Sequence, residues 1–233
     1  MTEFRSGNPI FVALDVRSVE RALALAAAVK PYVGGLKVGL EFINACGPEG
    51  VRKIVASGLP VFADVKLHDI PNTVAAAMRA LAPLAPALIN VHASGGSAMM
   101  RAAAKAAAEF TPRPKVLAVT VLTSLEAADL EALGVSCTPI EQVLRLARLA
   151  QDAGLDGVVC SPQEISEVRS ACGPDFLIVT PGVRPAGATL GDQRRVMAPG
   201  EALVAGANFL VIGRPITAEA DPAAAAKTIF EGL

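Results

Sequence analysis

A chain of 233 residues, 52% hydrophobic and only 18% charged, has enough apolar matter for one large core and too few charges for long disordered tails. Its net charge of −1, with basic residues spread singly, leaves no electrostatic footprint for nucleic acid or another polyanion. Mean hydropathy is +0.47, yet Arg, Lys, Asp, Asn or Pro breaks every apolar run well short of the roughly 18 residues that a membrane span needs.

The opening stretch MTEFRSGNPIFVALDV lacks the basic start, apolar run and small-residue site of an export signal, so a cytoplasmic location is expected. It runs instead into the first strand-like segment, 10–16 (IFVALDV). Further segments follow at 34–40 (GGLKVGL), 61–67 (VFADVKL), 88–93 (LINVHA) and 115–122 (KVLAVTVL). The last three are 157–161 (GVVCS), 176–181 (FLIVTP) and 208–213 (NFLVIG). Each is almost continuously apolar, as a strand buried on both faces must be. Ala-rich stretches of helical period lie between them, among them 18–29, 96–109, 139–152 and 222–231, with Ser18 and Asp221 placed to cap the first and the last.

Eight strand-helix pairs with no long linker or shift in composition predict an α/β fold: a single-domain (β/α)8 TIM barrel over residues 1–233. The first strand is followed by DVRSVERA and not by a Gly-rich turn that would seat a dinucleotide on a helix N-terminus, which counts against an open doubly wound sheet. Cys46, Cys137, Cys160 and Cys172 are scattered without a C-x-x-C pair, so they suit neither a zinc knuckle nor a disulfide framework and read as reduced thiols.

Charges inside the predicted strands are the anomaly. Asp15, Lys37, Asp64 and Lys66 all fall within or at the C-terminal ends of the first three, where a barrel interior should be dry and where barrel active sites are built. Alternation along a strand puts Asp64 and Lys66 on one face about 6.6 Å apart, with the neighbouring strand about 4.8 Å away, so two acids and two bases can meet there with zero net charge. A purely structural ion-pair network is the competing explanation. It is the weaker one, because an apolar replacement of such a network is often neutral or stabilising.

Asp69 completes a D-x-K-x-x-D spacing ahead of a helix expected to begin near Asn72. A lysine flanked by two carboxylates is held protonated by their charge, so Lys66 reads as a general acid. A second group closes the chain: TPGVRPAG (180–187) follows the seventh strand and GRPIT (213–217) the eighth, where barrels commonly bind phosphate. Gly213 permits close approach of the main chain, and the planar guanidinium of Arg214 matches phosphate oxygens. His92, at the end of the fourth strand, has no second histidine at metal-ligand spacing, and His68 reads as an orienting loop residue, so no metal site is expected. Thr123 and Ser124, just past the fifth strand, suit a polar ligand or a turn cap equally well.

Taken together, ADVKLHDIPNT, INVHASGG, VTVLTS, TPGVRPAG and LVIGRPIT resemble the bacterial orotidine 5'-phosphate decarboxylases along nearly the whole chain. D-x-K-x-x-D alone is shared with related phosphosugar barrels; joined in this order to I-P-x-T, P-G-V-R-P and I-G-R-P it is far more specific. The resemblance implies decarboxylation of orotidine 5'-phosphate to UMP without a cofactor. It places Asp64 beside the substrate carboxylate, makes Lys66 the proton donor to C6, gives Lys37 a supporting charge and has Asp15 hold ribose hydroxyls. It also implies a homodimer in which Asp69 and Thr73 reach the other subunit's site. Thr123 and Ser124 would contact the pyrimidine or its loop, and Arg184, Gln193, Gly213 and Arg214 the phosphate. The chain departs from the family pattern at RRVMAP after Gln193 and at GANFL near the eighth strand, neither of which touches these residues. Two alternatives stay open: a metal-dependent keto-sugar phosphate decarboxylase or aldolase of the same barrel group, and a non-catalytic nucleotide-binding barrel. The Gly- and Pro-rich segment 182–199 is the expected lid.

Overall fold

The computed structural model describes residues 7–184 and 197–233. Eight parallel strands close on one another in sequence order, β1 pairing with both β2 and β8. The first half comprises β1 (Ile10–Ala13), α1 (Val19–Val29), β2 (Gly35–Val38), α2 (Leu40–Val55), β3 (Val61–Leu67), α3 (Pro71–Leu81), β4 (Leu88–His92) and α4 (Gly96–Ala107). The second comprises β5 (Lys115–Val119), α5 (Ala127–Ala132), α6 (Pro139–Asp152), β6 (Gly157–Val159), α7 (Ile165–Cys172), β7 (Leu177–Pro181), α8 (Pro199–Val204), β8 (Phe209–Ile212), α9 (Arg214–Thr217) and α10 (Pro222–Glu231). Every expected strand is present. Most are shorter than the apolar runs that announced them, because a run continues into the loop where the ladder has already ended.

Alternation along the strands builds two cores. Ile10, Val12, Leu36, Val38, Val61 and Ala63 face outward and pack with the helices. Phe11, Ala13, Phe62, Leu88, Leu117, Val179 and Val211 face inward and fill the barrel. Helix starts follow their capping residues. Ser18 Oγ accepts the N–H of Arg21 at 3.2 Å and Asp221 Oδ1 that of Ala224 at 3.0 Å. Thr138 and Glu141 form a reciprocal capping box at α6. Each such cap contributes about 1 kcal/mol. Helix α2 is kinked at Gly47, whose φ of 62° is left-handed, with Pro48 directly after it.

Candidate active site

At the C-terminal end of the barrel the inward-facing positions change from apolar to charged. Above Phe11 and Phe62 comes a cavity of about 470 Å³, bordered by Asp15, Lys37, Asp64 and Lys66 as well as Thr123, Arg184, Gly213 and Arg214. Its apolar wall includes Val119, Val159, Pro181 and Val211.

The four charges form a chain. Lys37 Nζ lies 3.1 Å from Asp15 Oδ1 and 3.3 Å from Asp64 Oδ2, and Lys66 Nζ donates to Asp64 Oδ1 at 2.6 Å. Only Lys37 and Asp64 are buried. β1 stops at Ala13, so Asp15 stands beyond the strand with its side chain 52% exposed, not inside the barrel as the apolar run suggested. Burial by itself would raise the Asp64 carboxyl, but the ammonium groups of Lys37 and Lys66 and hydrogen bonds from Lys66 and Asn90 outweigh it and hold the group below its ordinary range. Gly39 keeps room for this arrangement: a Cβ there would sit 2.7 Å from Lys37 Nζ and 3.2 Å from Asp15 Oδ1.

Alternation holds along β3: Phe62, Asp64 and Lys66 face the cavity, while Ala63, Val65 and Leu67 pack outward with the helices. The β3–β4 register slips between Ala63 and Leu67, which pair with Ile89 and Val91, so Asp64, Val65 and Lys66 oppose Asn90 alone. Lys66 takes up the slack with a left-handed φ of 48°. That conformation costs a residue with a Cβ about 1–2 kcal/mol, and the fold holds it at this position. Asn90, fully buried, was missed by a search of the strands for charges. An amide in the middle of an apolar run was the available signal.

Asp69 and Thr73 do not enter this cavity. Both are exposed, and Asp69 Oδ1 accepts the N–H of its neighbour Ile70 at 2.6 Å. Among the described residues Lys66 is therefore paired with one carboxylate and not two. Thr123 borders the cavity, whereas Ser124 is exposed and does not. His92 has a companion after all: its ring stacks on that of His68 with centroids 5.3 Å apart. Burial, then the neighbouring His68 and Lys66, lower the His92 pKa, so it is neutral at pH 7. Cys160 also borders the cavity, and burial pushes its thiol up, out of the range where a thiolate forms. At the β7–β8 side, Arg184 is buried, and its pKa is lowered by burial and then by the charge of Arg214. Two guanidinium groups in one corner favour an anion between them. Gln193 lies outside the described residues, as does most of the expected lid.

Residues 8–229 match the family model described as "Orotidine 5'-phosphate decarboxylase / HUMPS family". The chain belongs to that family. Curated relatives named orotidine 5'-phosphate decarboxylase agree with it over nearly full length. The protein of Moorella thermoacetica is 55% identical, covering 98% of this chain and 93% of its own, and that of Paramagnetospirillum magneticum is 53% identical, covering 95% and 97%. Among solved structures, orotidine 5'-phosphate decarboxylase from Lactobacillus acidophilus superposes with a TM-score of 0.84 at 38% identity, covering 96% of this chain and 98% of its own. The decarboxylase family thus accounts for the whole barrel and not for one motif.

Proposed function

We propose that this barrel decarboxylates orotidine 5'-phosphate to UMP and CO2 in pyrimidine biosynthesis, with residues 1–233 acting as one catalytic domain in the cytoplasm. The observation that carries the reading is the Lys37–Asp64–Lys66 chain bordering the same cavity as Arg184 and Arg214, in a chain of this family. The arginine pair, with Gly213 and Gln193, takes the phosphate; Asp15 and Lys37 take the ribose hydroxyls; Thr123 and Ser124 meet the pyrimidine or its loop.

Loss of CO2 breaks the bond at C6 and leaves an electron pair in the plane of the ring, which the pyrimidine cannot readily delocalise. Stabilisation must come from charge already in place. The Lys66 ammonium, fixed 2.6 Å from Asp64, is that charge, and it passes a proton to C6 to give UMP. Asp64 stands beside the departing carboxylate. Its repulsion is secondary to transition-state stabilisation in this reading. The chemistry needs no cofactor. Asp64 already accepts hydrogen bonds from the Lys66 ammonium and the Asn90 amide and pairs with the Lys37 ammonium, so a metal-dependent sugar-phosphate reaction at these carboxylates would have to bring a cation against two lysines.

The functional unit is a homodimer in which Asp69 and Thr73 complete the partner's site. Its support is the exposed segment from Asp69 to Thr73, where Ile70 leaves 66% of its surface uncovered. Sedimentation at the mass of a single chain would remove this part of the proposal. The activity is tested by following the absorbance of orotidine 5'-phosphate with purified protein, with and without EDTA. Turnover insensitive to the chelator is expected, while binding of UMP without turnover would indicate a non-catalytic barrel.

A further inference from the structure

We propose that Asn90 is a positioning residue of the reaction, fixing the Asp64 carboxylate and the Lys66 main chain in one frame. Asn90 Nδ2 donates to Asp64 Oδ1 at 2.7 Å, and Asn90 Oδ1 accepts the Lys66 N–H at 2.8 Å. The orientation of the amide is set by its partners, since a main-chain N–H can only donate and an ionised carboxylate can only accept.

The geometry explains why an amide is needed at this point. Where the β3–β4 register slips, the Lys66 N–H has left the regular ladder, and the Asn90 side chain takes the place of the missing strand acceptor. The same carboxamide meets Asp64 on the oxygen that receives the Lys66 ammonium. Asn90 thus spans both ends of the Asp64–Lys66 pair and holds Lys66 in its left-handed turn. It does not border the cavity, so it acts through Asp64 and Lys66 and not on substrate. An apolar residue would fill the space as well but would leave a part-buried N–H and a carboxylate oxygen each short of a partner.

The proposal rests on the decarboxylase reading, and two variants with two kinds of measurement keep their failures apart. In Asn90→Ala the kcat for orotidine 5'-phosphate is expected to fall about 10- to 100-fold, through the loss of one hydrogen bond to the charged Asp64 carboxylate and one from the Lys66 main-chain N–H, while the Kd for UMP changes by less than about threefold. Asn90→Asp keeps the shape and the acceptor for the Lys66 N–H but donates to Asp64 only when protonated. Its kcat/KM should therefore fall as pH rises, adding a limb that the parent lacks. The titratable and charged groups to be considered in that profile are Asp64 and Lys66 from β3, Lys37 from β2, and the stacked His68 and His92. Should Asn90→Ala not fold, the pH profile of the isosteric variant decides.

A parent protein that fails to turn over the substrate would sink the decarboxylase reading alone. Crystal structures of the variants then decide the role of Asn90, which predicts that Lys66 leaves its left-handed conformation in Asn90→Ala. Unchanged kcat and pH profile in both variants, an equal loss of UMP binding, or a Lys66 that keeps φ near 48° and its contact with Asp64 would overturn the proposal.

Discussion

Asp64 and Asp156 have closely similar surroundings at opposite ends of the barrel. Each side chain is 12% exposed and each has two basic partners. Asp64 holds Lys37 and Lys66 together with the Asn90 amide; Asp156 holds the fork of Arg113 at 2.9 Å on both oxygens, Lys115 at 3.2 Å and the Val116 N–H at 2.8 Å. In both, burial raises the carboxyl pKa and the partners more than reverse it. Yet Asp156 stands just before β6, at the floor, where its main chain also joins β5 and β7 through Val116 and Leu177. The hollow beside it, about 370 Å³, is bordered by one cation, Lys115, already bound to the carboxylate; the cavity at the mouth is bordered by Lys37, Lys66, Arg184 and Arg214. Clustered charge is therefore no mark of a catalytic site by itself. What distinguishes Asp64 is that its partners reach the cavity and that the strands carrying them end where barrel loops assemble ligands.

The comparison can be broken most forcefully at Lys66. Lys66→Ala should lower kcat by about a thousandfold, the scale of losing a proton donor that also stabilises developing charge. Its side chain is 31% exposed, so the thermal midpoint should move little. A large fall in Tm with kcat preserved would make the mouth cluster as structural as the floor cluster. Arg214→Ala comes next. If Arg214 holds the phosphate as proposed, loss of this charge-assisted contact should lower kcat/KM about 10- to 100-fold, although the phosphate takes no part in the bond broken at C6. An unchanged kcat/KM would separate this arginine from the site.

How far the sequence revealed this difference depended on the kind of signal. The barrel was legible because eight two-sided apolar runs recur with helical stretches between them, and Lys37, Asp64 and Lys66 stood out as charges within those runs. That Asp64 and Lys66 share a face was legible from alternation, but the left-handed turn at Lys66 was not: it accompanies a register slip against β4, and register is a property of two strands. Asp69 could not be placed because nothing within a strand pattern tells which way a loop carboxylate turns. The floor cluster was invisible for a related reason. Arg113 and Asp156 are 43 positions apart and sit at strand starts, where a charge raises no suspicion.

The smallest expected effect is the most discriminating, because it concerns the aspartate assigned no part in the chemistry. Asp156→Asn keeps the shape but removes the charge that binds Arg113 and Lys115. A loss of about 2 kcal/mol is expected, which lowers Tm by about 4–8 °C in a chain of this size, with kcat/KM within about twofold of the parent. The pH dependence follows from the direction of the shift. Because the folded carboxyl lies below its ordinary value, its contribution is fully present above about pH 4 and is lost as pH falls through the lowered folded value. Asp64 titrates alike in parent and variant, so the difference between their melting curves isolates Asp156. That difference should be constant near neutrality and close in acid. If it persists undiminished to the acid end, the ion pair is not its source, and if kcat/KM collapses along with Tm, the two ends of the barrel are coupled and the contrast between the two aspartates fails.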